Sequence, residues 1–507
     1  MMKNLLAIIT AVSVLATLGA TPPPKPYVPA PPRDAVSHHV AHVAGQTIPY
    51  TARAGTITLR DAKDQITAHM FYVAYTKDGA DLSRRPVTFF YNGGPGSSTI
   101  WLHMGSFSPV RVVTANGVAT ASAPYGLNEN RYTLLDKSDL VFIDAPNTGY
   151  SRVIGYGDPK DFMGVDQDGR AFTQFVQRYI TQFNRWNSPK FLFGESYGTT
   201  RDAVLVNMLQ GAGVQFNGVV LLSAILNFGL TGLGGSNPIA GGDWAYVLYL
   251  PSEAATAWYH HMVPNRPASL TTFLRGVEEF AGNEYMHGLA QGDRMSPSTR
   301  DDIVHKLHAY LGLSEAYIRD SDLRVPYPRF EKQLLRTGDQ IVGRLDSRFS
   351  SYGLDAAADG PEWDPADVAV TGAYVGAFGR YVHDQLHFTT NMVYRPTAYT
   401  QLGARWDMHH VGIYGDTQDP PANVAPDLAQ AMSQNPHLKV LLAGGYYDFA
   451  TPYFAAAYTL NHLGVSPAVA RNMTFRFYQS GHMVYLNTPS LAQFKADLSR
   501  WYDSATR

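Results

Sequence analysis

Residues 191–198 read Phe-Leu-Phe-Gly-Glu-Ser-Tyr-Gly. The first three form a short apolar run of the kind expected of a strand buried on both faces. The last five match G-x-S-x-G, and Arg201 to Gln210 has the character of a helix. Glycines flanking a serine between a strand and a helix permit the sharp turn that lifts the hydroxyl out of a sheet. The bare motif arises by chance in turns, but here both required neighbours are present. The sequence on either side carries the same alternation. Leu140 to Ile143 is another continuous apolar run. Phe172, Phe175, Val176, Tyr179, Ile180 and Phe183 mark one face of a helix, and Gly218 to Leu222 is a further strand. Strand, helix, strand, helix, strand predicts a parallel α/β sheet.

Further out, Thr56–Leu59, Ile66–Val73 and Val87–Tyr91 are β-rich runs that predict an opening antiparallel meander. After Ile225 the alternation stops, and residues 229–400 predict an inserted, mainly helical cap. It resumes near Asp427, with strands at Lys439–Ala443 and Thr474–Tyr478. Leu491, Phe494, Leu498 and Trp501 give a closing amphipathic helix. The expected organisation is a signal peptide at 1–20, a proline-rich spacer at 21–45, and a first core segment at 46–228. The cap at 229–400 and a second core segment at 401–507 follow. The fold class is α/β: an α/β-hydrolase fold, with a mostly parallel central sheet and the cap inserted.

Composition narrows the function. Hydrophobic residues make up 45% of the 507, which supports a large core. The net charge is −2 and no run of like charge occurs, so the electrostatic footprint of a nucleic-acid binder is missing. There are no cysteines, which excludes disulfides, thiolate nucleophiles and Cys-ligated zinc. Lys3 followed by the apolar stretch Leu5–Leu18, with Ala16 and Ala20 as small residues, reads as an export signal. At about 14 residues it is short of the roughly 20 needed to span a bilayer. A periplasmic or extracellular protein without stable membrane insertion is expected.

Serine at neutral pH needs a base, and the base needs an orienting carboxylate. On an α/β-hydrolase sheet the chain order is Ser, acid, His. Asp448 lies just past the strand at 439–443, and His482 just past the strand at 474–478. Ser196, Asp448 and His482 thus satisfy type, order and placement at carboxyl ends of strands. Asp144 also ends a strand, but it precedes the serine and reads as a structural hydrogen-bonding residue. Directly after Tyr91 comes Asn92-Gly-Gly-Pro-Gly-Ser-Ser98. Its glycines leave N–H groups uncovered for a developing oxyanion, to be paired with the N–H of Tyr197. The lysine of a phosphate-binding P-loop is missing.

Together NGGPGSS, GESYG, the Asp after a strand, GHMV (481–484) and the segment Val141–Arg152 resemble the serine carboxypeptidases, the group that includes cathepsin A. The resemblance spans about residues 55–225 and 425–505. It implies Gly94 as the second oxyanion donor beside Tyr197. It implies Asn92, the N–H of Gly93 and a protonated Glu195 as the holders of a peptide's C-terminal carboxylate, since a neutral carboxyl donates where an ionised one repels. Phe90 replaces a Trp of the family, Ser97 replaces a Cys, and Gly105-Ser-Phe-Ser-Pro109 lacks the family's second glutamate.

His383-Asp-Gln-Leu-His387 is the strongest rival, with two histidines spaced as zinc ligands on a helix. Its middle acid is the shorter Asp and no third ligand is apparent. His38-His39, His260-His261 and His409-His410 read as surface or packing residues. The expectation is a serine-type carboxypeptidase that needs no metal or cofactor and acts on peptides with a free C-terminus. The alternatives are a carboxypeptidase-like acyltransferase or carboxylic esterase with the same triad, and an idle binding protein that keeps the fold.

Overall fold

The computed structural model describes residues 28–231, 242–399 and 406–506. The expected signal peptide and the start of the spacer lie outside these residues. A long twisted sheet dominates, built from β1 (Ala35–Val43), β2 (Gln46–Arg60), β3 (Ile66–Lys77), β4 (Val87–Tyr91), β5 (Asp139–Ile143), β6 (Lys190–Glu195), β7 (Gly218–Leu222), β8 (Lys439–Gly445) and β9 (Met473–Tyr478). Their order across the sheet is β1-β2-β3-β5-β4-β6-β7-β8-β9, with the short Arg152–Val153 pairing onto β3. Strands β5 through β9 in that order are mutually parallel; β1, β2 and β3 run antiparallel to their neighbours. This is an α/β-hydrolase fold.

Two sequence expectations change. The meander is only a two-turn affair: β4 leaves it and enters the parallel part, between β5 and β6. All five of its residues are buried, so it needs cover on both faces, which the middle of the sheet provides. The second half of the expected spacer is β1, paired with β2 from Ala35↔Ala54 to Val43↔Gln46. The proline-rich run ends at Pro32, and none of the residues of β1 is a proline, so each can donate to a ladder.

Alternate residues of the parallel strands feed two different layers. Phe89, Tyr91, Leu192, Val219 and Leu221 face helices α1 (Val165–Gln182) and α2 (Tyr197–Gly211). Phe90, Phe191, Phe193 and Val220 face the closing helix at Thr488–Ala505, through Leu491, Phe494, Leu498 and Trp501. Phe90 stacks between Phe142 and Phe193, with centroids 4.7 and 4.8 Å away.

The insertion contributes helices at Trp244–Tyr259, Leu270–Phe280, Pro297–Leu311 and Tyr327–Gln333, which share a core of their own with Tyr447, Phe449 and Tyr453. The helix Pro365–Asp384 instead packs into the layer of the closing helix, through Ala369, Tyr374 and Phe378. Among the described residues no helix is long and apolar enough to cross a membrane.

His410 is neither a surface nor a simple packing residue. It is 1% exposed, with Nδ1 2.7 Å from Asp166 and Nε2 2.8 Å from Asp427. It joins the first turns of α1 and of the helix Ala425–Gln434. Burial alone would lower its pKa; the two carboxylates outweigh that and raise it to about 9. A folded-state pKa above the unfolded value of about 6.5 adds stability that is complete below 6.5 and disappears as pH rises through about 9. His410→Ala should cost about 3 kcal/mol at pH 6, because it strands two buried carboxylates. Urea midpoints measured from pH 6 to 9.5 should fall for the wild type across this window, and the variant should lack that fall.

Candidate active site

In chain order β5 lies on one side of β4, while β6 and its successors lie on the other. The chain therefore reverses direction across the sheet at β4, and open α/β sheets bind ligands at such a switch point. The loop after β4 and the turn after β6 meet there. Tyr91 is in register with Gly194, and Leu222 of β7 with Glu195.

Ser196 has φ +62° and ψ −130°, a left-handed conformation for a residue with a side chain. Such strain costs on the order of 1–3 kcal/mol and persists only where neighbours impose it. They do so by contact. A Cβ on Gly194 would lie 2.2 Å from the Gly198 carbonyl and 2.4 Å from Asp202 Oδ2. The Gly194 N–H donates to Asp202 Oδ2 at 2.9 Å, and the Tyr91 hydroxyl donates to Asp202 Oδ1. Helix α2 starts at Tyr197, directly after the serine, so the Tyr197 N–H belongs to a first turn without intrahelical acceptors.

The loop from Asn92 to Ser98 packs against this turn. A Cβ on Gly93 would sit 2.3 Å from the Tyr197 nitrogen, and Gly94 has φ +109°. The Asn92 carbonyl accepts from Arg201 Nη1 at 2.8 Å, and its side-chain oxygen accepts from the Leu102 N–H at 3.0 Å. Arg201 is wholly buried and held by Asp168 at 2.6 and 3.1 Å. This pair, invisible to motif reading because both residues look like ordinary helix positions, ties the loop to the helix that follows Ser196. Asp144 has a comparable supporting place: its carboxylate accepts from the N–H groups of Thr99 and Tyr150.

Asp448 and His482 are 0% and 4% exposed, and Asp448 Oδ2 lies 2.8 Å from His482 Nδ1. The other carboxylate oxygen accepts from the Ala450 and Thr451 N–H groups, and the Thr451 hydroxyl reaches Oδ2 at 2.8 Å. Burial acts to lower the pKa of His482, but attraction and hydrogen bonding to Asp448 overcome it and the net shift is upward. With Nδ1 engaged by Asp448, Nε2 is the ring nitrogen left for another partner. Ser196 and His482 line one cleft of about 480 Å³, although among the described residues no hydrogen bond joins them.

Asn92, Gly93, Gly94 and Glu195 line the same cleft. Glu195 is 1% exposed. Its Oε1 accepts from the Tyr485 hydroxyl at 3.2 Å, and its Oε2 has no partner among the described residues. Burial raises its pKa to about 7, against the pull of His482 and Tyr485. Nearby, Gly105 leaves room for Tyr374 and Tyr485: a Cβ there would lie 2.2 Å from the Tyr374 hydroxyl oxygen and 2.6 Å from the Tyr485 ring.

The histidine pair does not form a helical face. The helix ends at Asp384, His383 pairs with Asp384 at 3.0 Å, and His387 lies beyond it with φ +56°. Among the described residues no group of three or more His, Asp or Glu is placed to hold a metal.

Residues 44–272 match the sequence model of the serine carboxypeptidase family. The chain is 30% identical over 128 residues to a pheromone-processing carboxypeptidase KEX1 of Cryptococcus gattii, covering 25% of this chain and 18% of that protein. It thus spans under a fifth of the length of that curated relative. The crystal structure of KEX1ΔP, a prohormone-processing carboxypeptidase from Saccharomyces cerevisiae, aligns with a TM-score of 0.51 at 15% identity. That alignment covers 90% of this chain and 91% of the other, and speaks for the fold.

Gly93→Ala should displace the Tyr197 amide, since the new methyl has no room. At least about a 100-fold loss of kcat is expected, the scale of removing one oxyanion donor. Steady-state kinetics on any acyl substrate the wild type turns over will measure it.

Proposed function

We propose, from the match of residues 44–272 to the sequence model of the serine carboxypeptidase family, that this protein removes C-terminal amino acids from peptides through Ser196, His482 and Asp448. The observation that carries this reading is the buried Glu195 carboxyl, one oxygen unpartnered, beside the left-handed serine in one cleft. A C-terminal peptidase needs a neutral donor for the substrate's own carboxylate.

In the proposed mechanism neutral His482 takes the proton of Ser196 as its oxygen attacks the last peptide carbonyl. Asp448 orients the ring and stabilises its cation. The amides of Gly94 and Tyr197 hold the tetrahedral oxygen. His482 returns the proton to the leaving amino acid, and water then releases the acyl group by the same steps reversed. Protonated Glu195 donates from Oε2 to the terminal carboxylate, with the Asn92 amide and the Gly93 N–H beside it. The amino-terminal stretch supports export to the periplasm or outside the cell. An acyltransferase would use the same triad with an alcohol in place of water.

Ser196→Ala should remove hydrolysis of a blocked dipeptide while the melting temperature stays near that of wild type. Turnover above about a thousandth of wild type would reject the nucleophile. Glu195 titrates from donor to anion near pH 7, so KM for a free-carboxylate dipeptide should rise as pH passes from 6 to 8. Glu195→Gln keeps a neutral donor and should flatten that rise. An unchanged KM profile would remove Glu195 from the carboxylate site.

A further inference from the structure

The loops that carry Asp448 and His482 leave adjacent strands, and the ladder between them stops at Gly445↔Tyr478. Asp448 is three residues beyond that point and His482 four. One backbone bond joins the loops directly, from the Tyr447 N–H to the Ser480 carbonyl at 3.1 Å. Much of the rest of their mutual placement comes from the insertion. Segment Arg344–Arg348 runs between them. The Phe449 N–H donates to the Arg344 carbonyl at 3.0 Å, and the Ser347 N–H donates to the Tyr447 carbonyl at 2.9 Å. On the other side, the His482 N–H donates to the Leu345 carbonyl at 2.6 Å, and the Gly481 N–H donates to Asp346 Oδ2 at 3.1 Å.

The segment is itself locked. Asp346 and Arg348 are 0% and 4% exposed, paired through Nε–Oδ1 at 2.9 Å and Nη2–Oδ2 at 2.5 Å. Arg348 also reaches Ser480 Oγ at 3.3 Å and Asn116 Oδ1 at 3.0 Å. Gly481 lies so close that a Cβ would be 2.4 Å from that of Asp346. The remaining backbone group of His482, its carbonyl, accepts from Ser223 Oγ at 2.7 Å. Both backbone groups of the histidine are therefore fixed, one from the core and one from the insertion.

We infer that Asp346, locked by Arg348, is a positioning residue for His482: it fixes segment 344–348 so that this segment holds His482 in register with Asp448. The inference rests on the reading of His482 as the base. A misplacement of about 1 Å at a catalytic group costs on the order of 100-fold in rate. Neither residue touches the cleft, whereas Arg344 and Leu345 of the same segment line it, so one stretch of chain serves both the wall and the triad.

The test uses the full chain with Asp346→Asn, which keeps the shape and removes the charge. Active sites are counted by complete labelling with a fluorophosphonate, and all rates are expressed per labelled site. The labelling rate and kcat for a blocked dipeptide should each fall about 10- to 100-fold, with KM within about threefold. The acid limb of kcat/KM should move to lower pH, because a loosened Asp448 bond stabilises the imidazolium less. Arg348→Lys keeps the charge without the fork and should show a smaller fall in the same two rates. It decides the matter if Asp346→Asn does not fold. Glu362→Gln breaks the Lys332–Glu362 pair elsewhere in the insertion and should lower stability with both rates per site unchanged. Wild-type rates per site in the Asp346 variant, or an equal loss in Glu362→Gln, would overturn the inference. A wild type that labels rapidly yet releases no amino acid would defeat the carboxypeptidase reading alone, since the labelling rates still test Asp346.

Discussion

The left-handed backbone at Ser196 is the constraint around which the rest of the site is arranged. A side-chain-bearing residue holds φ +62° only when its neighbours leave no alternative. Here a buried parallel strand ends one residue before it and a helix begins one residue after it, with glycines at 194 and 198 allowing the two to touch. Asp202 completes the clamp. It binds the Gly194 N–H and the Tyr91 hydroxyl, and burial pushes its carboxyl well above the ordinary range. The strain is thus borne by a hydrogen-bonded and packed sheet core, while the hydroxyl stands at the rim.

Burial sorts the charges around that rim. Asp168 and Arg201 are both inaccessible and answer each other directly, so the pair acts as a fixed strut between the helix after Ser196 and the glycine-rich loop. Asp448 is met by two N–H groups, a hydroxyl and the imidazole. Among the described residues Glu195 accepts from the Tyr485 hydroxyl on one oxygen and has no hydrogen-bond partner on the other, and burial pushes its carboxyl up to about 7. The two acids thus sit in different surroundings: Asp448 accepts several hydrogen bonds, whereas burial dominates at Glu195.

The insertion is more than a cover. Its own apolar core continues into Tyr447 and Phe449, on the loop that carries Asp448. Its segment at 344–348 is hydrogen-bonded to the backbone of Tyr447 and Phe449, on either side of Asp448, and to that of Gly481 and His482. Its last helix joins the layer beneath the sheet. The cleft is therefore built jointly, lined by residues at the ends of the sheet strands and by residues of the insertion.

The alternating apolar runs, the G-x-S-x-G junction and the glycine-rich loop made the parallel sheet and the order of Ser196, Asp448 and His482 legible in the sequence. These are local signals: a strand buried on both faces must be apolar throughout, and a tight turn must carry glycine. Strand neighbours were a different matter. The placement of β4 between β5 and β6, and of β1 as a paired strand, follows from which surfaces remain to be covered once the whole chain is assembled. The partners of Glu195, His410 and Arg201, and the Gly481 N–H that Asp346 holds, lie from 17 to 290 residues away, on elements with no periodicity in common. A side chain's charge state depends on who surrounds it and how much water is left. That is a property of the folded volume, and the linear order of residues does not contain it.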